Sequence, residues 1–423
     1  MKFSALDLAP QLQQALDACG YSEMTPVQQK AIVPARRGKD LLANAQTGTG
    51  KTAAFSVPIL QQICDRPRKV EAGYCRAVIL TPTRELAEQL SVTINRYAQF
   101  LDLNISAHFG GVAMEAQKKK LKRGVDILIA TPGRLLEHLV QCNINISRVE
   151  FVVLDEADRM LDMGFVTDVA TILRHTPEKR QTMLFSATLS PAVHTLSKSI
   201  LTRHIDIRAA KLNVAADTIE HVVYPVEERR KADLFSELIH KHNWFQVLVF
   251  TSTKAQADAL MRKLKTTGVT TALCHGDKTQ GTRRRALADF KSAKIQVLIA
   301  TEVAARGLDI PGLEYVVNYN LPYLAEDYVH RIGRTGRAGN KGHAISFVSR
   351  EEERALDNIE KLINAKIKRV HMPGYDVGNR ETLRKNIAKG RRLAPSNKAT
   401  HTKIMRRANG PVKAGRKKTT KGK

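Results

Sequence analysis

Ala45-Gln46-Thr47-Gly48-Thr49-Gly50-Lys51-Thr52 is the stretch on which the reading of this chain turns. The run before it, Asp40-Leu41-Leu42-Ala43-Asn44, is a short, partly apolar strand. The run after it, Thr52 to Ile63, has helical character. A strand, a glycine-rich turn and a helix make a phosphate-binding loop. Gly48 and Gly50 let backbone N–H groups close around a polyphosphate, Lys51 reaches its terminal phosphates, and the Thr52 hydroxyl meets Mg²⁺. The pattern ordinarily begins with Gly, and Ala45 stands there. A chance Gly-rich turn is the competing reading, and a second nucleotide signal opposes it.

That signal lies about 100 residues downstream, where Phe151-Val152-Val153-Leu154 runs into Asp155-Glu156-Ala157-Asp158. Four apolar residues read as a buried strand. The carboxylates then stand at its carboxyl end, where open α/β sheets bind ligands. Asp155 is expected to hold Mg²⁺ through water, and Glu156 to orient or deprotonate the attacking water. Taken alone, the tetrapeptide reads as an acidic helix start favoured by the helix dipole. Its distance from the Gly-Lys-Thr loop, behind an apolar strand, favours the nucleotide reading.

The same alternation extends outward. In residues 1–210 five apolar strands, Leu41–Ala43, Ala77–Leu80, Ile127–Ala130, Phe151–Leu154 and Thr182–Phe185, each end in a polar cluster. The clusters include Thr81-Pro82-Thr83-Arg84-Glu85, Thr131-Pro132-Gly133-Arg134 and Ser186-Ala187-Thr188. This pattern predicts an α/β fold with a mostly parallel sheet. A polar join covers 211–218. A second series follows in 219–373, with strands Val247–Phe250, Thr271–Cys274, Gln296–Ala300, Tyr315–Asn318 and Ala344–Val348. The architecture reads as duplicated, but no second Gly-Lys-Thr loop is present. A helical stretch, Glu351–Ile367, is expected to close the second domain. From 374 to 423 apolar spacing is sparse, and a disordered basic tail is expected.

The chain has 423 residues, more than one ordinary core holds, so two domains with additions are expected. It is 43% hydrophobic and 26% charged, as globular proteins are. No run of about 18 apolar residues predicts a membrane helix, and Met1–Asp7 lacks a signal-peptide core. The five cysteines are scattered with no CxxC spacing, which suggests neither zinc nor a disulfide framework. A cytoplasmic location is expected. The net charge of +27 points to a polyanionic partner. Residues 376–423 hold 16 Lys/Arg against 2 Asp/Glu, a net +14. That tail has no apolar face for membrane insertion, so no membrane partner is expected.

These motifs, in this order, resemble the DEAD-box ATP-dependent RNA helicases of superfamily 2 over roughly residues 3–370. The short N-terminus, two domains and brief basic tail are similar to a bacterial RhlE-type member. The resemblance implies two tandem RecA-like domains with parallel sheets, ATP and Mg²⁺ as cofactors, and RNA as partner. It also leaves room for ribosomal precursors or RNA-decay machinery. Gly20-Tyr21-Ser22-Glu23-Met24-Thr25-Pro26-Val27-Gln28, with Phe3 upstream, matches the family's Q motif. By resemblance Gln28 reads the adenine edge, which suits an amide with one donor and one acceptor, and an aromatic, Phe3 or Tyr21, packs near the base. Ser186 and Thr188 are implied to couple the ATP state to strand separation through Asp158 and His330.

Pro82, Thr83, Arg84, Gly110, Gly111, Thr131, Pro132, Gly133 and Arg134 match the first-domain RNA motifs. Thr251, Ser252, Gln280, Arg283 and Thr301 match those of the second. Such residues grip the sugar-phosphate backbone and carry little base specificity. In His330-Arg331-Ile332-Gly333-Arg334-Thr335-Gly336-Arg337, the resemblance sends Arg334 and Arg337 to the γ-phosphate, and Asp309 is implied as a further ATP contact. Two positions depart from the family: Glu302 follows Thr301 where Asp is usual, and Asn320 precedes Leu-Pro where Asp is frequent. A DNA-dependent translocase would share the two-domain ATPase, and RNA against DNA stimulation separates the two. A clamp with a vestigial ATPase is opposed by Lys51, Glu156, Arg334 and Arg337. A nucleic-acid-independent ATPase is opposed by the charge.

Overall fold

Parallel strands covered on both faces need near-continuous apolar runs, and this chain supplies them. In the computed structural model, which describes residues 1–45, 48–208, 219–305, 310, 313–336 and 342–375, fourteen strands form two sheets. The first contains β1 (Leu41–Asn44), β2 (Ala77–Leu80), β3 (Ile105–His108), β4 (Ile127–Ala130), β5 (Phe151–Leu154), β6 (Gln181–Ser186) and β7 (Ile205–Arg208). Its order is β3-β4-β2-β5-β6-β1-β7, and every pairing is parallel. The second contains β8 (Ile219–Pro225), β9 (Val247–Thr251), β10 (Thr271–Cys274), β11 (Val297–Thr301), β12 (Tyr315–Asn318), β13 (Gly342–Val348) and β14 (Lys368–Arg369). Its order, β10-β11-β9-β12-β13-β8-β14, repeats the first position for position and is again all parallel.

Period-two alternation divides each sheet between two cores. Leu41, Ala43, Ile79, Val153, Met183 and Phe185 face one side, packing with the helices Pro26–Arg36, Lys51–Asp65 and Arg84–Tyr97. Leu42, Val78, Leu80, Leu128, Val152, Leu154 and Leu184 face the other, with Pro132–Val140 and Val166–Arg174. The second sheet is clothed in the same way. Both sheets belong to one compact unit, Met1–Asp376. The expected join 211–218 and nearly all of the expected tail lie outside the described residues.

Three corrections follow. The helical stretch expected over Glu351–Ile367 is a short 3-10 turn, Arg350–Glu352, and a helix Glu353–Ile363 ended by Asn364 in the left-handed region. The folded part also continues past 373. The Tyr375 ring lies 4.3 Å beneath the Arg230 guanidinium, and its hydroxyl donates to Glu237 at 2.8 Å. Four strands were not anticipated, namely β3, β7, β8 and β14. Three of them are sheet edges, where polar residues such as Asp206 and Lys368 break the apolar run.

Candidate functional site

The phosphate loop leaves β1 and enters the helix Lys51–Asp65 through Gly48 and Gly50, at φ +89° and +92°. Ala45 is buried and donates its N–H to Ser186 O at 2.9 Å, so its methyl fills core beside β6. Lys51 is buried. Its Nζ sits 3.7 Å from Asp155 Oδ1 and has no hydrogen-bond partner among the described residues. An ammonium so placed is costly unless an anion completes it. Gln46 and Thr47 lie outside the described residues.

Gln28 grips this loop. It caps the helix Pro26–Arg36, accepting from Thr25 N at 2.8 Å, and its Nε2 donates to Gly50 O at 3.1 Å. Thr25 donates its hydroxyl to Thr49 O at 2.8 Å. A Cβ on Gly50 would stand 2.4 Å from Gln28 Nε2, so glycine is required there for space as well as for φ. Phe3, expected near the base, is instead fully buried, edge-on to Tyr21 at 5.3 Å. An apolar ring at a chain start gains more from the core than from an open nucleotide site. Tyr21 remains partly exposed, with its hydroxyl 2.6 Å from that of Tyr97.

At the end of β5, burial pushes the Asp155 carboxyl up to about 6, with Lys51 pulling it down and Glu156 pushing it up. Glu156 has φ +56°, uncommon for a non-glycine residue, and opens the helix Ala157–Asp162. Asp158 Oδ2 accepts both the N–H (2.9 Å) and the hydroxyl (3.0 Å) of Thr188. Ser186 in turn donates to Thr188 O at 2.6 Å. The expected link from the DEAD box to the Ser-Ala-Thr triplet is therefore present. Glu156 and Arg159 of the first domain share one narrow cleft with Glu302, His330, Arg331 and Arg334 of the second. Arg159 crosses that cleft to Asp327. Burial works against the Arg159 charge, but Asp327 outweighs it and raises the guanidinium pKa. Arg337 and Asp309 lie outside the described residues.

The first-domain RNA motifs gather at the carboxyl ends of the adjacent strands β2, β3 and β4. Thr83 caps the helix Arg84–Tyr97 by accepting from Leu86 N. Arg84 lies against Gly110 and Gly111, where a Cβ on Gly111 would meet its Nη1 at 2.2 Å. Thr131, Pro132, Gly133 and Arg134 begin the helix Pro132–Val140, and Arg134 Nη1 donates to Val112 O at 3.3 Å. In the second domain Thr251 and Thr301 are partners across β9 and β11. Gln280 and Arg283 have a partner within the protein. Both reach Glu85 of the first domain, at 3.1 and 2.6 Å. A buried carboxylate holds them more firmly than solvent would.

The two departures from the family pattern have local partners. Glu302 pairs with Arg331, which also donates to Asn318 Oδ1 (3.2 Å) and Asn320 O (2.7 Å). Asn320 accepts from Ser252 N at 3.2 Å and donates to Glu228 Oε1 at 3.1 Å, and an aspartate could not make the second bond. Arg159 and Asp327 were absent from the expected site, and Glu85 and Arg331 stood in quoted motifs without the partners found here. Arg159 directly follows the DEAD box, but its partner stands 168 positions away and only folding joins them.

A family model described as DEAD/DEAH box helicase matches residues 25–196, and one described as Helicase conserved C-terminal domain matches 230–339. The chain is 41% identical over 371 residues to ATP-dependent RNA helicase RhlB of Pseudomonas syringae pv. tomato, covering 86% of this chain and 94% of that one. It is 40% identical over 375 residues to ATP-dependent RNA helicase CshA of Listeria monocytogenes, covering 89% and 71%. Among solved structures, S. cerevisiae Dbp5 bound to RNA and ADP BeF3 superposes with a TM-score of 0.79 at 31% identity, covering 92% of this chain and 99% of that one. Mss116 bound to ssRNA and UDP-BeF also gives 0.79, at 27% identity, covering 91% and 81%.

Proposed function

The chain belongs to the DEAD-box ATP-dependent RNA helicases, and from that premise we propose how its residues divide the work. It hydrolyses ATP in response to RNA and unwinds short duplexes. The first domain binds the nucleotide, and the second, which runs on to Tyr375, closes on it. The observation that carries this assignment is the buried Lys51 amine, which lacks a hydrogen-bond partner among the described residues beside a glycine cradle. The β and γ phosphates complete it. Thr52 and Asp155 are the oxygen donors that would hold Mg²⁺ here, and the ion would supply charge neutralisation of the phosphates. Among the described residues no three His, Cys, Asp or Glu side chains form a metal cage of their own. Gln28 retains one amide proton for adenine, and Tyr21 takes the aromatic role.

Glu156 orients the attacking water, and Arg334, with Arg337, meets the γ-phosphate as the cleft closes. An arginine finger contributes about 10³–10⁵ in rate, roughly 4–7 kcal/mol. Closure joins the Arg84–Gly111–Arg134 cluster to Thr251 and Thr301 as one backbone-gripping surface. Opening about five or six base-pair steps costs ~7–8 kcal/mol at ~1.4 per step, which bent-strand binding and closure supply locally. Long tracking is not expected. We place this activity in the cytoplasm, on ribosomal precursors or RNA under decay. Sequencing RNA crosslinked to the protein in its own cells identifies which.

Glu156→Gln is expected to keep ATP and RNA affinity while RNA-stimulated phosphate release falls at least ~10²-fold. In the same assay Arg334→Ala loses tenfold or far more. Near-wild-type hydrolysis by either variant removes its assigned role. The basic tail, which carries a net +14 over 376–423, acts as an RNA tether. A cut after Tyr375 is expected to spare basal ATPase, weaken RNA binding regardless of sequence and flatten its salt dependence. Equal affinities and salt slopes for the two forms would leave the tail without that part.

A further inference from the structure

We propose that Glu88 and Arg284 form an electrostatic latch between the two domains, one helical turn beyond Glu85, that sets how readily the cleft closes. The proposal rests on the closure reading above. The helix Arg84–Tyr97 of the first domain faces the helix Gln280–Lys291 of the second. Their inner contact is the Glu85 carboxylate with Arg283 and Gln280. One turn outward, Arg284 meets Glu88 with two parallel bonds, Nη2 to Oε1 at 2.6 Å and Nε to Oε2 at 3.0 Å. This is the fork geometry that makes arginine–carboxylate pairs directional.

Glu88 and Arg284 are 38% and 51% exposed, so the pair adds little to either domain's own core. Exposed ion pairs are commonly worth about two- to fivefold in an equilibrium constant. That is negligible for folding but not for this equilibrium. The pair is made only when the two helices meet, so its whole contribution falls on the closed state. The helix that carries Glu88 begins at Arg84, which lies against Gly110 and Gly111. A single turn therefore presents one side to the RNA motifs and the other to the second domain. Glu88 and Arg284 touch no reacting atom and act as positioning residues.

The test labels one site in each domain of the full chain and reads the closed fraction by energy transfer. It titrates a short single-stranded RNA with a non-hydrolysable ATP analogue, alongside ATPase measurements. Glu88→Arg and Arg284→Glu are each expected to lower the closed fraction and raise the RNA concentration for half-maximal ATPase by about three- to tenfold. Turnover at saturating RNA should be little changed. The double exchange restores most of the loss, which a merely structural role would not do. The single effects shrink as salt rises. If the wild type closes but the singles match it, or if the double is no better than the worse single, the latch is refuted. If the wild type itself fails to close with RNA and analogue, the closure reading falls instead.

Discussion

Lys51 and Lys231 occupy the same place in two sheets of the same strand order, and their surroundings are opposite. Each opens the helix that follows its sheet's first strand in sequence, Lys51 after β1 and Lys231 after β8. Each is buried. Lys51 follows glycines and, among the described residues, has only Asp155, at 3.7 Å. Lys231 follows Val226–Arg230, without a glycine, and is held by Glu228 at 2.7 Å and Glu352 at 2.5 Å. The residue after β5 is Asp155, whereas the residue after β12 is Tyr319, whose ring centroid lies 5.8 Å from the Lys231 ammonium. One lysine is left for an anion, and the other is satisfied by the protein. Fold alone does not make a nucleotide site, because the difference lies in a few side chains at one loop.

Turnover should separate the two lysines most. Lys51→Ala is expected to reduce ATPase at least ~10²-fold by removing a preorganised phosphate contact, while Lys231→Ala stays within a few-fold of wild type where it is folded. Equal losses in both variants would erase the distinction. Stability should run the other way. Lys231→Ala removes a fully buried cation from between Glu228 and Glu352, which keep Asn320 and the Leu321 and Ser349 N–H groups as donors, and is expected to cost about 1–3 kcal/mol, seen as a lowered Tm without nucleotide. Lys51→Ala, which removes an amine without a hydrogen-bond partner, should leave that Tm unchanged or raised. A clear fall for Lys51→Ala would mean that Asp155 alone satisfies it.

A smaller effect separates the domains by acid. His108 ends β3 and His138 lies on the helix Pro132–Val140, with the rings 5.2 Å apart and both buried. Ser106, Gln117 and Asn143 bond this pair. Burial lowers His108 to about 3 and His138 to about 4, with neighbouring cations pushing the same way. Folded values below the ordinary ~6.5 mean that the unfolded chain binds the protons first as pH falls. Stability is therefore full above about 6.5 and is lost on the way down, by roughly 1–2 kcal/mol per histidine at pH 5. Hydrogen exchange should show the first sheet losing protection between pH 7.5 and 5 before the second. Equal loss in both sheets would count against the pair.

The interior strands β2, β4 and β5 were legible because burial on both faces demands uninterrupted apolar residues. The loops after them were legible because glycine, lysine and threonine at fixed spacing serve few other ends. Three of the four edge strands were not, and β7 shows why, since Ile205-Asp206-Ile207-Arg208 buries only Ile207. Phe3 was misplaced because an aromatic near the chain start fits a core and a base equally well until its neighbours are known. Contacts across the cleft were illegible for a different reason. Glu85 with Arg283, or Arg159 with Asp327, is decided by how two domains meet, which no local periodicity encodes.

Asn320 carries a consequence for how such a chain can change over generations. Its amide oxygen accepts a hydrogen bond from the Ser252 N–H and its NH2 donates one to Glu228, and Glu228 also holds Lys231. Replacing Asn320 by aspartate would set two carboxylates side by side. Replacing Glu228 first would leave the amide donor and the Lys231 charge short of a partner. Neither position can drift alone at little cost, so the order of substitutions is constrained. Descendants are expected to exchange the two residues together or keep both.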